Sequence, residues 1–84
     1  MARRASVEEP EPAGHRVRLR LDALLEERGL TLAELSRQVG VSQVNLSVLK
    51  NGRARAIRFS TLTSLCDALD CTPGDLLEVA APDA

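Results

Sequence analysis

Few side chains in this chain are of types that do covalent or metal chemistry, and their spacing argues against it. His15 is the only histidine and lies in or beside an N-terminal arm where a metal site would lack partners, so it reads as solvated surface. Cys66 and Cys71 stand five residues apart with no histidine near them, which is not zinc spacing. They read as reduced, buried structural thiols in preference to a regulatory disulfide. With no carboxylate pair in a basic setting and no metal ligands in the helical part, an enzyme is not expected, and neither is a cofactor. The chemistry that remains is charge. Arg37, Lys50, Arg53, Arg55 and Arg58 fall in a stretch from Leu35 to Cys66 that contains no acid at all.

That stretch carries +5 on a chain whose formal net charge is −1, because the flanks hold six basic against twelve acidic residues. One basic region on a near-neutral chain is the footprint of a polyanion partner. Taken alone, the same five cations fit a solvated surface equally well, so the elements that position them must decide. Eighty-four residues allow one small core. The chain is 44% hydrophobic but has one aromatic, Phe59, so Leu, Val and Ala must build that core, which favours packed helices over a β-sandwich. No apolar run is long enough for a membrane span and no hydrophobic stretch near the N-terminus suits a signal peptide. A cytoplasmic, nucleoid-associated protein without a membrane partner is expected.

Residues 1–14 combine prolines, glutamates and arginines without apolar periodicity and predict a disordered arm; Arg3 and Arg4 could reach a minor groove, but Glu8, Glu9 and Glu11 argue against it. From His15 to Leu21 apolar and basic residues alternate with strand period, feeding a first helix of about 21–28 that closes at Arg28-Gly29; the competing reading is one continuous helix from about 16. Thr31-Leu32-Ala33-Glu34 is a capping box opening a second helix that Gly40 stops. Ser42 caps a third, running to about Lys50, with Leu46 and Leu49 facing inward. Asn51-Gly52 breaks it. A basic loop, Arg53 to Ser60, follows, anchored by Ile57 and Phe59. A fourth helix starts near Ser60 or Thr61 and buries Leu62, Leu65, Cys66 and Leu69. Thr72-Pro73-Gly74-Asp75 starts a short last helix, about 73–77, and Leu77-Glu78-Val79 extends as a strand beside the first. The domain thus spans 15–80, with a flexible tail at 81–84.

Thr31 to Gly52 is then two short helices joined through a glycine turn and a hydroxyl cap, a helix-turn-helix over 31–51. Such corners also occur in helical domains that bind nothing. The text T-L-A-E-L-S-R-Q-V-G-V-S-Q-V-N-L-S-V-L-K-N-G, however, closely resembles the phage-repressor and Cro-like helix-turn-helix family, also called the xenobiotic-response-element family. Its pattern T-x-x-E-L-A-x-x-x-G-[VIT]-[ST]-x-x-x-[IL]-S-x-[LIW]-x-x-G falls on Thr31 to Gly52, the likeness extends over about residues 19–78, and the ending D-C-T-P-G-D-L-L-E looks like a subgroup of small single-domain regulators. The one departure is Ser36 in place of Ala, whose hydroxyl is small enough to keep the packing and can bond back to the preceding turn.

The resemblance implies an all-α fold, a five-helix lambda-repressor-like DNA-binding domain with a minor two-stranded element near 16–20 and 77–80. It implies sequence-specific binding of double-stranded DNA by a transcriptional regulator, a repressor first of all, with the third helix in the major groove. Base edges would be met by Gln43, Val44, Asn45, Ser47 and Val48, the amides of Gln43 and Asn45 suiting adenine and the valines a thymine methyl. Val48 could equally pack the helix. No arginine lies on that face, so guanine readout would come from elsewhere. Phosphates would be met by Thr31, Leu32, Arg37, Ser42, Lys50, Asn51, Arg53, Arg55 and Arg58, with the amides of Asn51 and Gly52 as an anchor. A homodimer on a pseudo-palindromic operator is implied, with the terminal strands pairing within a chain or swapping between chains, and no small-molecule ligand. The alternative is an antitoxin-like or protein-interaction module in which DNA binding is secondary.

Overall fold

Hydroxyl caps set where three of the helices begin. The computed structural model describes residues 14–82, so that residues 1–13 of the expected arm and 83–84 of the tail lie outside the described residues. The elements are β1 (Val17–Leu19), α1 (Leu21–Arg28), α2 (Leu32–Val39), α3 (Gln43–Lys50), α4 (Phe59–Leu69), α5 (Pro73–Leu76) and β2 (Leu77–Val79). Both capping boxes form as the sequence predicts. The Thr31 hydroxyl accepts from the Glu34 N–H at 3.0 Å, and the Glu34 carboxylate accepts from the Thr31 N–H at 2.8 Å. Thr72 and Asp75 repeat the exchange at the start of α5, and the Thr72 backbone N–H, then its hydroxyl, hold the Asp75 carboxyl below its ordinary value.

The five helices and the two-stranded sheet are the architecture expected. Leu21, Leu35, Leu46, Leu65, Leu69 and Leu76 have no accessible surface, so every helix sends at least one leucine to a common centre. Leu19, Leu24, Leu25 and Cys66 complete the buried set. At about 1.5–3 kcal/mol for each fully buried leucine, these contacts dominate what holds so short a chain together.

β1 pairs with β2 antiparallel within the chain, Val17 opposite Val79 and Leu19 opposite Leu77. Of the alternatives left open by the sequence, a strand feeding α1 and a sheet formed within one chain are therefore the ones observed, although the strand is only three residues long. The basic side of the alternation is spent on the C-terminal segment. Arg16 Nε donates to the Ala80 carbonyl at 2.9 Å, Arg18 Nε to the Glu78 carboxylate at 2.7 Å, and Arg20 Nη1 to the Asp75 carbonyl at 2.8 Å.

Three expectations are corrected. Phe59 does not anchor the loop; it is the first residue of α4 and is 83% exposed. Burial fades along α4 from Leu69 and Leu65 through half-buried Leu62, so a residue one turn further out has passed the end of the core. His15 is half-buried, not solvated, with its ring hydrogen-bonded on both sides. The Ser36 hydroxyl reaches forward to the Val41 carbonyl at 2.6 Å instead of back.

Two glycines carry different constraints. Gly40 (φ +74°) and Gly52 (φ +75°) are both left-handed, but a Cβ on Gly40 would meet open space whereas one on Gly52 would lie 3.1 Å from the Val17 carbonyl oxygen. Gly40→Ala is expected to cost about 1–2 kcal/mol of backbone strain, and Gly52→Ala clearly more. Urea unfolding of both variants checks this, and equal losses would show that the close approach to Val17 imposes nothing.

Candidate nucleic-acid interface

The corner between α2 and α3 is built by short-range bonds. Gly40 turns the chain, the Ser36 hydroxyl ties the turn through Val41, and the Ser42 hydroxyl accepts from the Asn45 N–H at 3.1 Å to start α3. Leu46 then fixes α3 to the core with no accessible surface, and half-buried Leu49 packs beside it. The residues expected to meet bases lie away from those two leucines. Gln43, Val44 and Asn45 are exposed, Val44 by 72%, while Ser47 and Val48 are half-buried. Among the described residues, neither the Gln43 nor the Asn45 side-chain amide is engaged by another protein group. Ser42, Asn45 and Val48 line one depression of about 370 Å³ together with Arg58 and Thr61. The chain thus brings part of the α3 face and one loop arginine to a single concavity; sequence reasoning missed Thr61, whose place there depends on how α4 docks.

The residues expected to meet phosphate divide. Thr31 spends its hydroxyl on the cap of α2. Leu32 packs its side chain on the core, which leaves its first-turn backbone N–H to offer. Ser42 spends its hydroxyl on the cap of α3. Lys50 Nζ donates to the Asp22 carboxylate at 3.2 Å, so α1 already holds it. The backbone amides of Asn51 and Gly52 do not form a free anchor, because they donate to the Ser47 and Leu49 carbonyls at 3.0 and 3.2 Å. Only the Asn51 side chain remains for that task.

The cations separate cleanly. Arg16, Arg18, Arg20, Arg28 and Lys50 all bond within the chain. Arg37, Arg53, Arg55 and Arg58 are exposed, and their guanidinium groups make no hydrogen bond or ion pair among the described residues. All four lie in the acid-free stretch.

Comparison with known proteins bears on this surface. The family model described as the Cro/C1-type HTH DNA-binding domain matches residues 20–82. An uncharacterized HTH-type transcriptional regulator of Bacillus subtilis (strain 168), YozG, is 52% identical over 60 residues, covering 71% of each chain. Among solved structures, the transcriptional regulator VanUg is 28% identical, with a TM-score of 0.65 over 95% of this chain and 100% of that one. A Bacteroides fragilis protein shares the fold at 21% identity, with a TM-score of 0.63 over 74% of this chain and 98% of its own.

Covalent chemistry has little support beside this face. Among the described residues no group of three His, Cys, Asp or Glu side chains could hold a metal ion. Cys66 and Cys71 are both free thiols, Cys66 buried and Cys71 half-buried. They meet across the end of α4, where Asp70 turns left-handed (φ 53°) and the Cys71 N–H donates to the Cys66 carbonyl at 3.0 Å, the arrangement that brings a residue of the last helical turn against the second residue past the helix end. Burial, and then the neighbouring Cys66, push the Cys71 thiol up to about 11 from an ordinary 9.0. Such a thiol is a poor nucleophile near neutral pH. Because its folded pKa is raised, its contribution to stability is fully present below pH 9 and is lost as pH rises toward 11. Unfolding measured across that window should show the decline, and Cys71→Ser should remove it; an identical decline in the variant would assign the effect elsewhere.

Proposed function

Because this chain belongs to the Cro/C1-type helix-turn-helix family of DNA-binding transcriptional regulators, as its match over residues 20–82 shows, we propose that it is a repressor that sets α3 into the major groove of a pseudo-palindromic operator as a homodimer. The observation that carries this reading is the division of the cations. Among the described residues five are consumed by the chain's own oxygens, and the four left without partners flank α3, whose outward amides are also free. Gln43, Val44, Asn45, Ser47 and Val48 are the base-contacting set, with Gln43 and Asn45 suited to adenine N6 and N7. Arg37, Arg53, Arg55 and Arg58 neutralise phosphates, and Thr31, Leu32, Ser42, Lys50 and Asn51 add contacts from the helix starts and from the end of α3. Lys50 does so while held by Asp22, which leaves part of its charge for the backbone of the duplex. One such domain makes too few base contacts for tight specificity, which is the physical reason to expect two.

Selection of bound duplexes from a random library tests the proposal, with paired half-sites expected and unselected sequences contradicting it. On the selected site, Arg53→Ala and Arg55→Ala should each weaken binding to all sequences and flatten the dependence of log K on log salt by about one unit. Gln43→Ala should instead cost about 1–3 kcal/mol on the selected site and relax preference at one base pair. An equal loss on random DNA would remove Gln43 from the base readers.

A further inference from the structure

We propose that His15 is a positioning residue for DNA binding: its imidazole clamps the loop that carries Arg53 and Arg55 to β1, so that the N-terminal strand presets where those arginines stand. The inference rests on the DNA-binding reading above and adds a residue that lies 39 positions from its partner in the chain.

The ring bridges two backbone groups. His15 Nε2 lies 2.6 Å from the Ala54 carbonyl oxygen, and the Val17 N–H donates to Nδ1 at 2.9 Å. A carbonyl can only accept and an N–H can only donate, so the two bonds together require the neutral tautomer with its proton on Nε2. Ala54 sits between exposed Arg53 and Arg55. The loop has no secondary structure of its own from Arg53 to Arg58. It is tied at its start by the Arg53 N–H to the Val48 carbonyl at 2.9 Å and at its end by Ile57 packed against the core. Among the described residues, the His15 bond is the one hydrogen bond that reaches its middle.

Packing does not substitute for that bond. An apolar groove of about 300 Å³ lies beneath the loop, walled by His15 with Val17, Leu19, Leu49, Ile57 and Leu77. Ala54, Arg55 and Ala56 line that groove and are not among the residues packed on the core, so the clamp supplies the constraint. Presetting the loop lowers the ordering entropy that binding must otherwise overcome.

The test uses the full chain with His15→Ala, His15→Asn and His15→Gln. Asn keeps an acceptor for the Val17 N–H, as in an Asx turn, but is too short to reach Ala54. Gln carries an amide donor out to where Nε2 stood. His15→Ala and His15→Asn should lose about fivefold to tenfold in affinity for DNA of any sequence, the loss of about one hydrogen bond, with a shallower salt slope and an unchanged base preference. His15→Gln should recover to within about twofold of the parent by the same accounting. Independently of DNA, trypsin should cut the free protein after Arg53 or Arg55 faster in the Ala and Asn variants than in the parent or the Gln variant, at matched thermal stability. Unchanged cleavage in His15→Ala, or rescue by Asn as complete as by Gln, overturns the clamp. Faster cleavage in His15→Ala, with a parent chain that selects no DNA, would keep the clamp and overturn the DNA-binding reading instead.

Discussion

A core of leucines without accessible surface is the constraint on which the chemistry of the surface depends. With one aromatic in the chain, and that one exposed, the helices have no large side chain to span a gap and must approach closely. Leu46 is the consequence for α3: a single fully buried side chain, helped by Leu49, fixes the helix to α2 and to the centre of the domain. Fixing it so economically leaves Gln43, Val44 and Asn45 with no structural duty. Because native domains are only marginally stable, the same leucine decides both whether the chain folds and whether the candidate face of α3 is presented at all.

Charge is organised by the same economy. Among the described residues the arginines of the flanks, Arg16, Arg18, Arg20 and Arg28, are taken up by carboxylates or by the chain's own carbonyls, as Arg18 is by Glu78 and Arg28 by the end of α4. Among the described residues, the cations left without a partner, Arg37, Arg53, Arg55 and Arg58, all fall in the acid-free stretch. The near-zero net charge is therefore a sum over two populations, and the acidic one discourages the remaining faces from approaching a phosphate backbone.

How much of this was legible in the sequence follows from the range of each interaction. The capping boxes at Thr31 and Thr72, the cap at Ser42 and the inward leucines of α2, α3 and α4 depend on residues within one or two turns, and all could be read directly. The candidate face of α3 could be read too, since Leu46 and Leu49 define its back. Interactions that depend on where distant backbone lies could not. His15 bonds a carbonyl whose residue type is irrelevant to the contact, so no side-chain pattern at Ala54 signals it. Ser36 turns forward because the left-handed Gly40 brings the Val41 carbonyl back over α2, a geometry invisible in a one-residue departure from a family pattern. Phe59 misled because hydrophobicity predicts burial without saying where the core ends.

The antiparallel pairing of Val17–Leu19 with Leu77–Val79 has a bearing on the order in which this molecule is assembled. Its helices meet distant as well as neighbouring elements, α2 packing on α4 and on α3 and α1 reaching α4, but the sheet joins segments some sixty residues apart and carries the largest loop-closure entropy in the domain. An elongating chain cannot make that pairing until Val79 has left the ribosome. All five helices precede β2 in the chain, so the strand from which His15 reaches the basic loop acquires its partner only after every helix has emerged, and the position of that loop is set after α3 is already formed.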